Sequence, residues 1–219
     1  NLVNNNTLMN IFTYLCNLNK NNIASKIDND KKEQIKAEKM ITIVDYGIES
    51  TTIEMNAKNA NVSGGYLYRS YSGKQELINE LFYEKISSLY QELEFLIALN
   101  NSSIAPIISA FVQNRIVYSL NEPVASNFFY QLLHNDNFSF TNELKNKSIL
   151  LMQNIKDIGV NAREISSHIN LFQLYYHFLV YVVDYIHFKR NNIFENQDLI
   201  NDDVAYLTNN FLNFLKRID

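Results

Sequence analysis

The sequence predicts an all-α protein. The chain has 219 residues, of which 47% are hydrophobic, so it is long and apolar enough to bury a substantial core. It contains only two prolines and five glycines, and it lacks the regularly spaced turn dipeptides that separate the strands of sandwiches and barrels. Apolar residues recur instead at helical spacing. These observations favour long helices in one large or two small domains.

The first helix is expected to begin at Asp30. The pattern Asp30-Lys31-Lys32-Glu33 places a capping side chain three residues before a glutamate, which is typical of a helix start. Gly47 suits the left-handed residue that ends many helices. Residues 1–29 show no clear amphipathic period, and we interpret them as an N-terminal arm of uncertain structure.

Capping patterns predict three further helix starts soon after Gly47. Thr51-Thr52-Ile53-Glu54 repeats the capping-box pattern. Ser63 can cap a third helix over residues 63–70, and Ser72-Gly73-Lys74-Gln75 has the pattern expected before a fourth. The second and third helices must therefore be short.

The junction between these two short helices has the composition of a helix-turn-helix. Ala57 and Ala60 are small enough to let two helix backbones approach closely. Asn61 tolerates the left-handed conformation that a tight turn requires, and Val62 can fill the space beneath the turn.

Longer helices are expected in the rest of the chain. Pro106 and Pro123 fall near predicted helix starts, where the missing N–H costs little, and Gly159 suits a helix end. The predicted helices cover residues 75–98, 106–120, 124–133, 141–158, 164–189 and 196–218.

The composition argues against several classes of protein. The single cysteine, Cys16, excludes an intramolecular disulfide framework and favours a cytoplasmic setting. The most membrane-like stretch, residues 171–188, carries Gln173, His177, Asp184 and His187, so a buried interface helix is favoured over a membrane span. No signal peptide is expected.

Charge is unevenly distributed along the chain. The formal net charge is −4, but residues 31–74 carry a net charge of +2 and the remainder after them is acidic. This asymmetry has the sign expected for a nucleic-acid-binding segment attached to an acidic body.

The segment from Gly47 to Leu77 resembles the TetR family of transcriptional regulators. The order and spacing of small, β-branched and aromatic residues match that family's motif. The matching residues are Gly47, Thr51-Thr52-Ile53, Ala57, Ala60-Asn61-Val62-Ser63, Gly65, Leu67-Tyr68, Tyr71, Lys74 and Leu77.

The resemblance implies a helix-turn-helix DNA-binding domain at residues 30–75, followed by a larger helical ligand-binding and dimerisation domain at residues 76–219. The helix at residues 63–70 would enter the major groove of an operator. Tyr66 would contact bases and Arg69 a base or a phosphate. The other expected DNA-binding residues are Thr51, Thr52, Ser63, Gly64, Gly65, Tyr68 and Lys74.

Two residues depart from the family pattern. Asn56 stands where an apolar residue is usual, and if buried without partners it should cost on the order of 1 to 3 kcal/mol. Ser70 replaces an aromatic residue or histidine, which removes a phosphate or packing contact. These departures leave open the alternative of a TetR-like helical scaffold that binds proteins or ligands with weakened DNA binding.

The helical body is rich in aromatic residues that could line a pocket for a small-molecule effector. Packing in the core or at an interface is the alternative interpretation for each of them. The resemblance places a homodimer interface on the last two long helices. The candidate pocket residues are Tyr118, Phe128, Phe129, His134, Phe172, Tyr175 and Tyr176.

An enzyme is the less favoured hypothesis. His177, Asp184 and His187 are spaced to share one helix face, but no nucleophile with a positioned base, phosphate loop or metal-binding spacing accompanies them. We therefore expect no catalytic residues, metal or cofactor. The favoured function is a ligand-responsive regulator, most simply a repressor, that binds a palindromic operator as a dimer.

Overall fold

The computed structural model describes residues 29–135, 140–191, 199 and 201–216. All regular structure within these ranges is helical, so the all-α prediction is confirmed. Helix α1 covers residues 29–46. The other helices are α2 Ile53–Asn59, α3 Gly64–Ser70, α4 Lys74–Leu99, α5 Ala105–Asn121, α6 Pro123–Leu133, α7 Asn142–Asn161, α8 Leu171–Tyr175, α9 Tyr181–Arg190 and α10 Asn201–Leu215.

The chain divides into two compact units between Leu77 and Ile78. The first unit contains α1 to α3 and the start of α4. Its core is formed by apolar residues that are at most 6% exposed, and these come from every helix of the unit. They are Ile35, Ile43, Ile53, Ala57, Ala60, Leu67, Tyr71 and Leu77.

The helix caps observed in the first unit agree only partly with those predicted from the sequence. Asp30 lies inside α1, since residue 29 is already helical, so the predicted start there is wrong. The N-cap of α2 is Thr52, whose hydroxyl accepts the amide N–H of Met55 at 3.2 Å. Ser63 caps α3 as predicted, by accepting from the amide of Tyr66 at 3.3 Å.

The second unit has a core built from aromatic and branched side chains of several helices. The rings of Phe111 and Phe178 lie 4.7 Å apart, and those of Phe178 and Phe211 lie 5.3 Å apart. All three residues are at most 2% exposed. These contacts pack α5 and α10 against the π-helical turn Tyr176–Val180, which joins α8 to α9.

The helix predicted from residue 164 begins later, at Leu171. Asn170 accepts the amide N–H of Gln173, whose side chain accepts the amide N–H of Asn170 in return. This reciprocal cap fixes the start of α8. The ends predicted at residues 196 and 218, like most of the N-terminal arm, lie outside the described residues.

Gly159 has a packing role instead of the predicted role at a helix end. It lies within α7, two residues before Asn161. A Cβ at this position would meet the Ile165 side chain at 2.9 Å and the Ile104 side chain at 3.1 Å. The residue near this end that has positive φ is Arg163, at 59°.

Two polar side chains are buried without hydrogen-bond partners in the first unit. Asn56 is 0% exposed, and both atoms of its side-chain amide lack a partner in the described part of the chain. Lys39 is also 0% exposed, and its amine has no hydrogen-bond acceptor there. Burial, together with the charge of Lys74, lowers the pKa of Lys39 to about 8.

Replacing Asn56 with leucine should stabilise the protein. The substitution keeps a side chain branched at Cγ and removes two unsatisfied buried polar atoms, so we expect a gain of about 1 to 3 kcal/mol in the free energy of unfolding. Urea titration measures the change. The control Asn59→Leu loses a 3.1 Å hydrogen bond to Thr42 and should give no gain. If Asn56→Leu unfolded at the same urea concentration as wild type or at a lower one, this would contradict the assignment of Asn56 as a buried residue without partners.

Stability should rise with pH because of Lys39. Between pH 8 and 10.5 the unfolded chain, whose Lys39 has the ordinary pKa of 10.5, holds a proton that the folded chain has released. Lys39→Met removes this proton linkage. The variant should exceed wild type in unfolding midpoint below pH 8, and the difference should shrink toward pH 10.5. A difference that does not vary with pH would show that the folded-state pKa is not lowered.

Candidate functional site

The connection between α1 and α2 is held by three side-chain hydrogen bonds. The hydroxyl of Thr51 donates to the carbonyl of Gly47 at 2.6 Å. The amine of Lys74 donates to the carbonyls of Ile48 at 3.1 Å and Glu49 at 3.2 Å. Thr51 is only 1% exposed. Thr51 and Lys74 therefore support the scaffold in this structure, although the sequence predicts that both contact DNA.

The turn between α2 and α3 has the tight geometry that the sequence predicts. Asn61 adopts a left-handed conformation with φ of 52°. The amide of Val62 donates to the carbonyl of Ala57 at 2.9 Å. Ala57 and Ala60 are 5% and 1% exposed, so small side chains occupy the place where the two helices meet.

The N-terminal half of α3 is open to solvent. Nothing lies within 4 Å of a Cβ added to Gly64 or Gly65. The next residue, Tyr66, is half-buried and has cations near its ring. The Lys31 amine lies 5.9 Å from the ring centroid, and the Arg69 guanidinium lies 6.0 Å from it. Both cations are exposed, so this surface combines bare backbone, an aromatic ring and positive charge.

Tyr68 and Glu54 link α3 to α2 on the exposed surface. Tyr68 is 55% exposed, and its hydroxyl donates to the Glu54 carboxylate at 2.5 Å. This hydrogen bond lowers the pKa of Glu54 below its usual value, because it stabilises the ionised carboxylate. An acidic group therefore stands beside a side chain that the sequence assigns to phosphate binding.

The DNA-binding residues predicted from sequence thus fall into two groups. Thr52, Ser63, Gly65, Tyr68 and Arg69 are exposed, and Gly64 and Tyr66 are partly exposed beside them in the chain. Thr51 and Lys74 instead donate hydrogen bonds to the connection between α1 and α2. Sequence reasoning missed Lys31 and Glu54, because both approach α3 through tertiary contacts that leave no local signal.

Ser70 and Tyr71, at the C-terminal end of α3, lie in different environments. The hydroxyl of Ser70 donates to the carbonyl of Tyr66 at 3.2 Å, so it bonds its own helix. Tyr71 is 4% exposed and belongs to the core. Tyr71 therefore packs inside the first unit and does not face solvent.

The candidate pocket residues of the second unit are not brought together in one cavity. Tyr118 and Phe129 line a cavity of about 170 Å³. Phe172 and Tyr175 line another, of about 570 Å³, whose walls are mostly apolar. Phe128 is 0% exposed and belongs to the core.

The other two candidate pocket residues lie at the surface of the second unit. His134 is exposed, and its Nε2 lies 3.2 Å from the Asp184 carboxylate. Tyr176 is 42% exposed.

The last helices expose several large apolar side chains. These residues are 42% to 73% exposed although they stand on elements that also supply the core. Exposed apolar groups mark a surface that can associate with another molecule where they form a contiguous patch. They are Phe172, Tyr176, Phe188, Tyr206 and Phe214.

The three residues considered for catalysis have separate partners. His177 packs on Phe214 at 3.6 Å between ring centroids, and His187 stacks on Tyr130 at 3.4 Å. Across the described ranges, no three His, Cys, Asp or Glu residues are grouped so as to hold a metal ion. None of the described helices is long and apolar enough to cross a membrane.

Comparison with known proteins identifies the fold. No protein-family model matches the chain, and no curated protein matches it significantly. Solved structures do match. A TetR family transcription regulator from Marinobacter aquaeolei VT8 has a TM-score of 0.67 at 14% identity, over 88% of this chain and 100% of that one. The chain has the TetR fold.

Two further structures with the TetR fold match with similar coverage. The fatty acid degradation regulator FadR from Bacillus halodurans has a TM-score of 0.68 at 15% identity, over 84% of this chain and 99% of that one. SmeT of Stenotrophomonas maltophilia, solved in complex with triclosan, has a TM-score of 0.65 at 15% identity, over 86% and 93%. At such identities the similarity is one of fold.

Proposed function

We propose that the protein is a ligand-responsive transcriptional regulator that binds a palindromic DNA operator as a homodimer. Residues 30–75 form its DNA-binding domain and residues 76–219 its ligand-binding and dimerisation domain. The observation that carries the proposal is the exposed N-terminal half of α3, where Gly64 and Gly65 leave the backbone open and Lys31 and Arg69 flank Tyr66. Repression is the simplest mode of action.

Within this proposal, α3 enters the major groove and Tyr66 contacts base edges. Arg69 and Lys31 supply positive charge next to it. Exposed hydroxyls position the domain on phosphates, since such contacts set register more than sequence preference. Those hydroxyls belong to Thr52, Ser63 and Tyr68.

The homodimer is proposed to form through α8, α9 and α10. Their exposed aromatic side chains would be buried by a second copy, and a two-fold axis places the same patch on both subunits. Two α3 helices would then bind half-sites about 34 to 36 Å apart, or a multiple of that distance.

A small-molecule effector would act through the second unit. SmeT, which shares the fold, is described as the repressor of a multidrug efflux pump and was solved with triclosan. An effector of this protein would have to bind the DNA-competent and released conformations with different affinities.

The alternative is a TetR-fold scaffold that binds DNA weakly and acts through proteins or ligands. The Glu54 carboxylate favours it, because an ionised acid beside Tyr68 repels phosphate. Fluorescence anisotropy separates the two functions. DNA duplexes from the region around the gene itself are titrated with protein at several salt concentrations.

A regulator should bind one palindromic fragment much more tightly than the others, with log affinity falling linearly as log salt rises. Tyr66→Ala should reduce this preference more than it reduces binding to the other fragments. Equal and weak binding to every fragment would support the scaffold.

Gly65→Ala should weaken DNA binding without destabilising the protein. The added Cβ meets nothing within 4 Å, and alanine favours a helix by up to about 1 kcal/mol over glycine. The variant should unfold at the same or a higher urea concentration. Its operator affinity should nevertheless fall at least severalfold, since the methyl group keeps the backbone from the DNA.

Gly73→Ala is the matched control, because a Cβ there also meets nothing within 4 Å and Gly73 lies outside α3. It should leave operator affinity unchanged. Unchanged affinity in Gly65→Ala would show that α3 does not approach DNA through this backbone.

Glu54→Gln should strengthen DNA binding, because it removes the negative charge and leaves only a weaker neutral acceptor for the Tyr68 hydroxyl, so that phosphate can compete for it. A double-mutant cycle tests the mechanism. Tyr68→Phe should cost little operator affinity in the wild-type background and severalfold in the Glu54→Gln background. Asp45→Asn, also in the first unit, controls for the loss of one negative charge. If Glu54→Gln merely equals Asp45→Asn and shows no coupling to Tyr68, the hydroxyl does not contact phosphate.

A further inference from the structure

Arg69 is the only charged residue of α3, and its side chain extends back toward the start of the helix. Its Nε atom donates to the carbonyl of Gly65, one turn earlier, at 3.3 Å. Long side chains on helices commonly point in this direction. The guanidinium therefore lies beside Gly65 and Tyr66, and not at the C-terminal end of α3 where its own Cα is placed.

Two contacts restrain the guanidinium of Arg69 and leave its outer edge available. One is the hydrogen bond to Gly65, and the other is the ring of Tyr66, whose centroid lies 6.0 Å from the guanidinium carbon. The hydrogen bond uses the single N–H of Nε, so the four N–H groups of the two terminal nitrogens remain. Arg69 is exposed and forms no ion pair with any residue that the structure describes.

Two adjacent donors of this kind match one base better than the others. Guanine presents two neighbouring acceptors, N7 and O6, in the major groove. Adenine presents an acceptor beside a donor, thymine an acceptor beside a methyl group, and cytosine a donor. The two terminal nitrogens of an arginine can donate to N7 and O6 of guanine at the same time, which is the commonest specific contact between proteins and DNA.

The position of the guanidinium favours a base over a phosphate. Phosphates border the groove, whereas the first residues of a recognition helix contact base edges. The guanidinium lies beside those first residues, and a Cβ at Gly64 or Gly65 would meet nothing within 4 Å. No side chain of these two glycines therefore keeps the bases away from Arg69.

We infer that Arg69 recognises a guanine in each half-site of the operator. Its terminal nitrogens donate to N7 and O6 while Nε stays bonded to the Gly65 carbonyl, and the ring of Tyr66 positions the guanidinium. The inference rests on the proposed function and deepens it by naming the base that α3 selects. It also decides between the base and the phosphate that the TetR resemblance leaves open for Arg69.

Base replacement tests the inference by fluorescence anisotropy with the full chain. In the palindromic fragment that binds most tightly, 7-deazaguanine replaces the guanines one symmetric pair at a time. This base has a C–H group in place of N7 and still pairs with cytosine. At one symmetric pair, the affinity of the wild-type protein should fall at least about tenfold, since a hydrogen bond to a base is lost in each half-site.

Arg69→Ala tests whether the effect belongs to this side chain. The variant should bind the unmodified fragment at least about tenfold more weakly than wild type does. It should bind the 7-deazaguanine fragment as well as the unmodified one. Lys58→Ala, which removes another exposed cation of the first unit, is the matched control and should keep the full sensitivity to the replaced guanines. Urea titration checks that both variants are folded.

The remaining outcomes separate this inference from the proposed function. Specific binding of the palindrome that no guanine replacement weakens would overturn the inference and leave the regulator standing. The same conclusion follows if Arg69→Ala weakens every fragment equally and stays sensitive to the replaced guanines, because Arg69 would then contact phosphate. If the wild-type protein binds no fragment specifically, both proposals are overturned.

Discussion

The close approach of α2 to α3 is the constraint on which the candidate DNA-binding surface depends. Ala57 and Ala60 are almost completely buried where the helices meet, and Asn61 accepts positive φ so that the chain can turn back. The hydrogen bond from Val62 to Ala57 closes this turn. With the turn fixed, the first residues of α3 face solvent, which is the arrangement that an α-helix needs to enter a major groove.

The same unit contains features that oppose stability and affinity. Asn56 and Lys39 are buried without partners, and Glu54 places a carboxylate against Tyr68. The two buried groups cost free energy that an apolar residue would not, and the carboxylate opposes the approach of phosphate. Hydrogen bonds from Thr51 and Lys74 to the α1–α2 connection act in the other direction. The proposed DNA-binding unit therefore combines a well-defined turn with two buried polar groups that lower its stability.

Local patterns predicted the features that depend on local physics. The cap at Ser63 and the left-handed Asn61 both follow from neighbouring residues. Features set by tertiary contacts could not be predicted in this way. A glycine is needed at position 159 because a Cβ there would collide with the side chains of Ile104 and Ile165. Lys31 approaches Tyr66 from a helix that is distant in the sequence. The aromatic residues of the body gave no signal that they divide between two cavities, because aromatic content does not specify which rings meet.

Methylation interference on the palindromic fragment tests the central claim most directly, because methyl groups at guanine N7 lie in the major groove. The account predicts two symmetric patches of interference one helical turn apart, or a multiple of it, and two protein copies per fragment. Interference confined to the minor groove, a single patch, or one copy per fragment would contradict a dimer that reads DNA with α3.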